Sequence, residues 1–201
     1  MKIVYLHFAV KFYEWLQQRQ VKKRFYQNPI FRELDEELIR GPNPYRVKEA
    51  FPYGETPLCS LKQIADRCNL TADDCVVDLG CGRGRGVFFL ADHYGCRVKG
   101  VDKIGVFIDR AKALSKKYQT RRVSFTCGDM REFNLDDATC IFFYGTTFGD
   151  DFIAMLIRRF LQLKKGTKVV SVSYPLEGLI LADQLTVSFP WGKGEVYIQT
   201  V

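Results

Sequence analysis

Apolar positions follow two different rhythms along this chain. Before residue 50 they recur at helical spacing, and after residue 56 they come as short buried runs separated by amphipathic stretches of helix length. In the first segment His7, Lys11, Glu14 and Gln18 fall three or four apart. A helix gathers them on one face and leaves the other to Ile3, Tyr5, Phe8, Val10, Phe12, Trp15 and Leu16. A second helix is expected over 29–39, with Phe31, Leu34, Leu38 and Ile39 on one side, ending at Gly41-Pro42-Asn43-Pro44.

The later rhythm predicts helix over 58–70, strand over 75–79, helix over 87–94, strand over 97–101 and helix over 107–118. Strands over 123–126 and 139–144 follow, then a helix over 150–163 with Asp150 as its cap, and a fifth strand over 168–173. The runs 184–189 and 195–200 flank Pro190-Trp191-Gly192-Lys193-Gly194 and read as an antiparallel hairpin. Alternating helix and buried strand implies an α/β fold: a Rossmann-like, doubly wound, mainly parallel seven-stranded sheet with a C-terminal hairpin. Residues 1–50 read as a helical N-terminal appendage and 51–201 as the main domain.

Composition narrows the class. The 201 residues are 47% apolar and 26% charged, which excludes a disordered or low-complexity chain. Seven cysteines without a C-x-x-C pair, and two histidines, read as reduced thiols packed as small hydrophobes in the cytoplasm, with no metal. The net charge of +7 permits an acidic partner without naming one. Over residues 1–29 six basic side chains stand against one acid. Two uses fit this basic, aromatic-rich helix: packing on its own domain or a second copy, or docking on an anionic membrane surface or RNA. The run is too short and too charged to span a bilayer, and no small-residue cleavage site follows it.

Chemistry is expected where the first strand ends, since open α/β sheets bind ligands at the carboxyl ends of their strands. There the sequence reads Asp78-Leu79-Gly80-Cys81-Gly82-Arg83-Gly84. Glycines let backbone lie against a ligand, but the spacing is G-x-G-x-G and not the G-x-G-x-x-G of dinucleotide sites. Asp78 would also repel a pyrophosphate and suits a cationic α-amino group. Asp102, 22 residues after Gly80, stands where a carboxylate takes ribose hydroxyls, and Asp129 with Met130 stands where an adenine amino group and ring would be met. Any one of these acids could instead cap a helix.

Together these residues resemble class I S-adenosylmethionine-dependent methyltransferases, over about residues 51–201. Within that class the chain is most similar to the non-SET, disruptor-of-telomeric-silencing-like histone-lysine methyltransferases and their prokaryotic relatives. The resemblance rests on Tyr53-Gly54-Glu55-Thr56, Val77-Asp78-Leu79-Gly80-Cys81-Gly82, Gly100-Val101-Asp102-Lys103, Gly128-Asp129, Ile141-Phe142, Lys165-Gly166, and Trp191-Gly192-Lys193 before Tyr197. It implies S-adenosylmethionine as cofactor. Tyr53, Glu55 and Thr56 would close over its methionine end, Asp78, Gly80, Cys81 and Gly82 would line it, Asp102 and Lys103 would meet the ribose, and Asp129 with Met130 the adenine.

The family's Asn-Asn-Phe stretch after the fourth strand is replaced here by Tyr144-Gly145-Thr146. Tyr144, Thr146 and Trp191 are therefore the candidate catalytic residues, Tyr144 also touching the cofactor. An aromatic channel of Tyr144, Phe148, Tyr174 and Trp191 would favour an uncharged amine, unless those rings are core. Arg83 and Arg85 could pair with an anionic acceptor, although a solvated arginine is the commoner outcome. The expected activity is methyl transfer to a protein lysine. Transfer to a small molecule or nucleic acid, and a non-catalytic cofactor-binding subunit, are the alternatives.

Overall fold

A computed structural model describes residues 27–40 and 54–201. The aromatic N-terminal helix and Tyr53 lie outside the described residues. Among those described, no helix is long and apolar enough to cross a membrane.

The elements run α1 (Pro29–Arg40), α2 (Leu58–Arg67), β1 (Cys75–Leu79), α3 (Arg85–Tyr94), β2 (Arg97–Asp102), α4 (Gly105–Lys117), β3 (Val123–Cys127), β4 (Cys140–Phe143), α5 (Asp150–Phe160), β5 (Lys168–Val172), β6 (Ile180–Phe189) and β7 (Gly192–Thr200). They form one seven-stranded sheet in the order β3-β2-β1-β4-β5-β7-β6. Strands β1 to β5 are parallel, and β7 inserts antiparallel between β5 and β6. Chain order reverses between β1 and β4, the crevice where such sheets hold ligands.

Alternation along the strands sends Val76, Phe142 and Val170 to one face, with Leu61 and Ile64 of α2, Val87 and Phe88 of α3, and Ile108 and Leu114 of α4. Ile30, Phe31 and Leu34 of α1 share this core, so the first two turns of that helix are packed with the sheet. The other face carries Val77, Leu79, Ile141, Phe143 and Val169 against Ile153, Leu156 and Phe160 of α5. A sheet covered on both faces needs uninterrupted apolar strands, and β1 and β4 are buried at every position.

Three expectations change. Gly149, not Asp150, is the N-cap of α5, with no side-chain bond, so Asp150 sits inside the first turn, where it complements the helix dipole. The hairpin strands are longer than expected: β6 begins at Ile180, and Gly192 and Gly194 pair within β7, leaving Pro190-Trp191 as the turn. The glycines read as loop residues, but Gly192 has φ +133° and Gly194 lies under the Phe189 ring, both suited to a tight hairpin. Finally, helix α2 stops at Arg67, and Asn69 turns at φ 51°.

Gly84 shows how tightly the first loop is built. Its φ is +79°, and a Cβ there would collide with the Phe125 ring of β3. Gly84→Ala is expected to lower stability by about 3 kcal/mol, read as a reduced midpoint in chemical denaturation.

Candidate active site

The loop after β1 uses its own amide groups to hold its shape. Gly80 N–H and Cys81 N–H both donate to Val101 O at 2.8 and 3.1 Å, and Gly84 N–H donates to Cys81 O at 2.9 Å. Gly82 N–H donates to Asp102 Oδ2 at 2.9 Å. With these amides satisfied inside the protein, they are not aimed outward as a phosphate cradle. Gly80, at φ +88°, also lies against Met130, whose Cε is 3.5 Å from where a Cβ would stand.

A small cleft of about 70 Å³ opens at this loop, lined among others by Glu55, Thr56, Asp78, Gly80, Gly82 and Tyr144. It therefore joins three segments far apart in the chain: the Gly54-Glu55-Thr56 strap, the end of β1 and the end of β4. Its volume is well below the roughly 300 Å³ of a whole-ligand pocket, so the enclosed part suits one end of a larger molecule.

Arg83 and Arg85 are 3% and 4% exposed, contrary to the expectation of solvated side chains. Arg83 donates through Nε and Nη2 to Glu55 Oε1 at 3.0 and 2.5 Å, and through Nη1 to the α1 carbonyl of Leu34 at 2.7 Å. Arg85 stands 3.9 Å from both Asp35 and Glu55. The loop arginines thus tie the strap and α1 to the glycine turn. A guanidinium so deep must find carboxylates and carbonyls, because an unpaired buried charge costs several kcal/mol.

Asp78 is the polar centre of the cleft. Burial, reinforced by the neighbouring Asp102 charge, pushes its carboxyl up to about 7. Tyr144 Oη is buried and makes no hydrogen bond of standard geometry among the described residues, the Thr56 side chain being its near polar neighbour. Burial pushes the phenol above its ordinary range, with the Asp78 charge adding to the rise, so the group stays protonated. A hydroxyl with only Thr56 near it and a carboxyl with no cation beside it among the described residues fit a ligand that brings a positive charge and polar atoms into the cleft. Cys81 is no nucleophile: burial, then Asp78 and Asp102, raise its thiol well above the ordinary range. It packs on β2, where a Cβ at Gly100 would meet its Sγ at 2.7 Å.

The remaining expected residues flank the cleft. Asp102 is anchored by Gly82 and by Ile104 N–H at 2.9 Å, which leaves lone pairs on both oxygens for hydroxyl donors. Lys103 is exposed, and its charge helps hold the Asp129 carboxyl below the usual range. The main cause of that lowering is the Arg131 side chain, which donates from Nε at 2.9 Å and from Nη2 at 2.5 Å. An adenine amino group must therefore share Asp129 with Arg131. Thr146 is exposed, and Trp191, 55% exposed, stacks on Phe189 at 4.7 Å. A Cβ at Gly54 would meet Trp191 at 3.2 Å, so the hairpin tip stands against the strap.

The four-ring channel does not form as one wall. Phe148 and Tyr174 pack on the opposite face of the sheet from Tyr144, and Tyr174 Oη donates to Gly145 O at 2.7 Å. Side chains before and after a strand end diverge by the pleat, which a list of aromatics does not reveal. Sequence reasoning also missed Leu61, Leu90 and Phe142 as apolar walls; their spacing marked them only as core.

Residues 76–164 match the family described as methyltransferase domain. The chain carries a class I S-adenosylmethionine-dependent methyltransferase domain. It is similar to a protein-lysine N-methyltransferase of Saccharolobus islandicus (strain REY15A), 29% identical over 63% of this chain and 79% of that one. It is also similar to a histone-lysine N-methyltransferase, H3 lysine-79 specific, of Dictyostelium discoideum, 26% identical over 70% of this chain but only 8% of that protein. The fold resembles an RNA methyltransferase from Salinibacter ruber in complex with S-adenosyl-L-homocysteine, with TM-score 0.62 and 24% identity over 73% of this chain and 93% of that one. S-adenosylmethionine is the cofactor of this methyltransferase domain.

Asp78 is protonated below about pH 7 and an anion above it, so it can counter the cofactor's α-ammonium group only at higher pH. S-adenosylhomocysteine affinity by calorimetry is expected to rise with pH through 7, and Asp78→Asn to abolish that rise. Because the folded pKa is raised, the proton's stabilising contribution is complete at acid pH and lost as pH climbs through 7. Without ligand at pH 8, Asp78→Asn is expected to be more stable than the parent by up to about 4 kcal/mol in denaturant titrations. Asp102→Ala leaves two loop amides without acceptors. It should lower stability by about 1–3 kcal/mol as well as weaken cofactor binding.

Proposed function

We propose that this methyltransferase acts on a lysine side chain of a protein. The carrying observation is the strap: Glu55 is pinned by Arg83 beside Tyr144, and Trp191 leans on Gly54 at the same rim. The Tyr53 to Thr56 motif and the hairpin tryptophan are the features by which the sequence resembles lysine methyltransferases. The two curated relatives named above are called protein-lysine and histone-lysine methyltransferases, which supports the same class.

The bound cofactor supplies a sulfonium methyl group for an in-line displacement by a nitrogen lone pair. The protein's part is positioning, worth as much as about 7–11 kcal/mol where reacting atoms are held at near-attack distance. The attacking lysine must arrive as the neutral amine, because an ammonium has no lone pair to give. Tyr144, kept protonated by burial, offers its oxygen to an amine N–H, in place of the family's amide. Asp102 would hold the ribose of the cofactor, and Asp129 with Met130 its adenine.

A second reading, transfer to nucleic acid or a small molecule, is favoured by the absent amide at Tyr144-Gly145-Thr146 and the +7 charge. Purified protein incubated with radiolabelled S-adenosylmethionine and cell lysate, then fractionated, separates them. Label in a nuclease-resistant protein band that maps to lysine by mass is the expected result. Label confined to RNA or the organic phase overturns it. Tight cofactor binding without any label points instead to a non-catalytic subunit.

A further inference from the structure

The loop that follows β3 has few anchors of its own. Gly128 N–H donates to Asp102 O at 3.0 Å, and Glu132 N–H and Arg131 N–H turn back onto Asp129. From Met130 to Asn134, the hydrogen bonds reaching this loop from other elements, among the described residues, come from one side chain. Arg159, in the last turn of α5, donates Nη1 to Met130 O at 2.8 Å and Nη2 to Phe133 O at 2.5 Å. Its guanidinium has no carboxylate partner among the described residues, and its planar fork spans two carbonyls three residues apart.

The base of this arm is rigid. Ile153, Leu156 and Phe160 bury the adjoining side of α5 in the core, so Arg159 projects from a fixed helix. A second contact runs the same way: Arg131 lies over the Phe152 ring of α5 at 5.5 Å, and Phe152 stacks on Phe148 at 4.3 Å. Arg131 is the residue that holds Asp129. Helix α5 therefore controls both the backbone of Met130 and the partner of Asp129.

We propose that Arg159 is the positioning residue for the adenine end of the cofactor site, setting the loop so that Met130 rests on Gly80 and Asp129 faces the base edge. This rests on the reading that Asp129 and Met130 hold the adenine. Arg159 does not touch the cofactor. With its fork removed, two carbonyls lose their donors and the loop gains freedom that binding must then remove.

The test is calorimetric titration of the full chain with S-adenosylhomocysteine and with S-inosylhomocysteine, in which the adenine amino donor is replaced by a carbonyl. The unsubstituted protein should prefer the adenine ligand, because Asp129 accepts from an amino group and repels an oxygen. Arg159→Met should weaken S-adenosylhomocysteine about tenfold and shrink the adenine preference by a similar factor, since loss of one charge-assisted bond is worth about that much. Arg159→Lys, keeping the charge and one donor, should recover part of both and stands in if the Met variant fails to fold. Arg158→Met, on an exposed neighbour, should change neither. A loss of general stability would weaken both ligands alike, so an unchanged adenine preference in Arg159→Met overturns the proposal. Equal binding of the two ligands by the unsubstituted protein overturns instead the placement of the base at Asp129.

Discussion

The turn after β1 depends on the two acceptors at the end of β2. Val101 O takes two loop amides and Asp102 Oδ2 takes a third, so the glycine loop folds against its neighbouring strand and leaves its outer surface free. Everything at the site is referenced to that turn. Met130 rests on it, Asp78 lies at its root and the loop arginines leave from its far side. Parallel pairing of β1 with both β2 and β4 makes this geometry stiff, because the strand that carries Asp78 is buried on both faces and bonded on both edges.

Four ionisable side chains are buried among the described residues: Asp35, Asp78, Arg83 and Arg85. Arg83 and Arg85 against Glu55 and Asp35 form a cluster whose members need one another: removing one partner strands the rest, at about 3–5 kcal/mol, although the intact cluster adds little net stability. Its value is geometric, since it fixes the strap over the cleft by a bidentate fork. Asp78 is the opposite case. It has no cation beside it among the described residues, and burial stores in it a preference for the proton that a positively charged ligand can relieve.

The site is also divided by the sheet. Tyr144 follows β4 on the face covered by α2 and α3, whereas Phe148 and Tyr174 belong to the face covered by α5. The first face therefore bears on the cleft beside Asp78, and the second sets the loops that border it. Aromatic stacking from Phe143 through Phe148 to Phe152 gives α5 a firm seat, and Arg159 and Arg131 carry that firmness to the adenine loop.

Much of this was legible in the chain itself. Alternating buried runs and helix-length stretches determined the α/β sheet, because the two periods bury different faces, and Gly80, Gly82, Asp78 and Asp102 marked the ligand end by their places at strand termini. Element ends were less legible: Gly192 and Gly194 looked like loop but pair in β7. Tertiary structure alone decided that Arg83 and Arg85 are buried, that Asp129 is shared with Arg131, that Phe148 and Tyr174 leave the cleft, and that Arg159 holds a loop 26 residues away. The physical reason is common to all four. Periodicity reports which side of an element is apolar, but a charged or aromatic side chain takes its role from partners brought together by other strands, and no local pattern records that meeting.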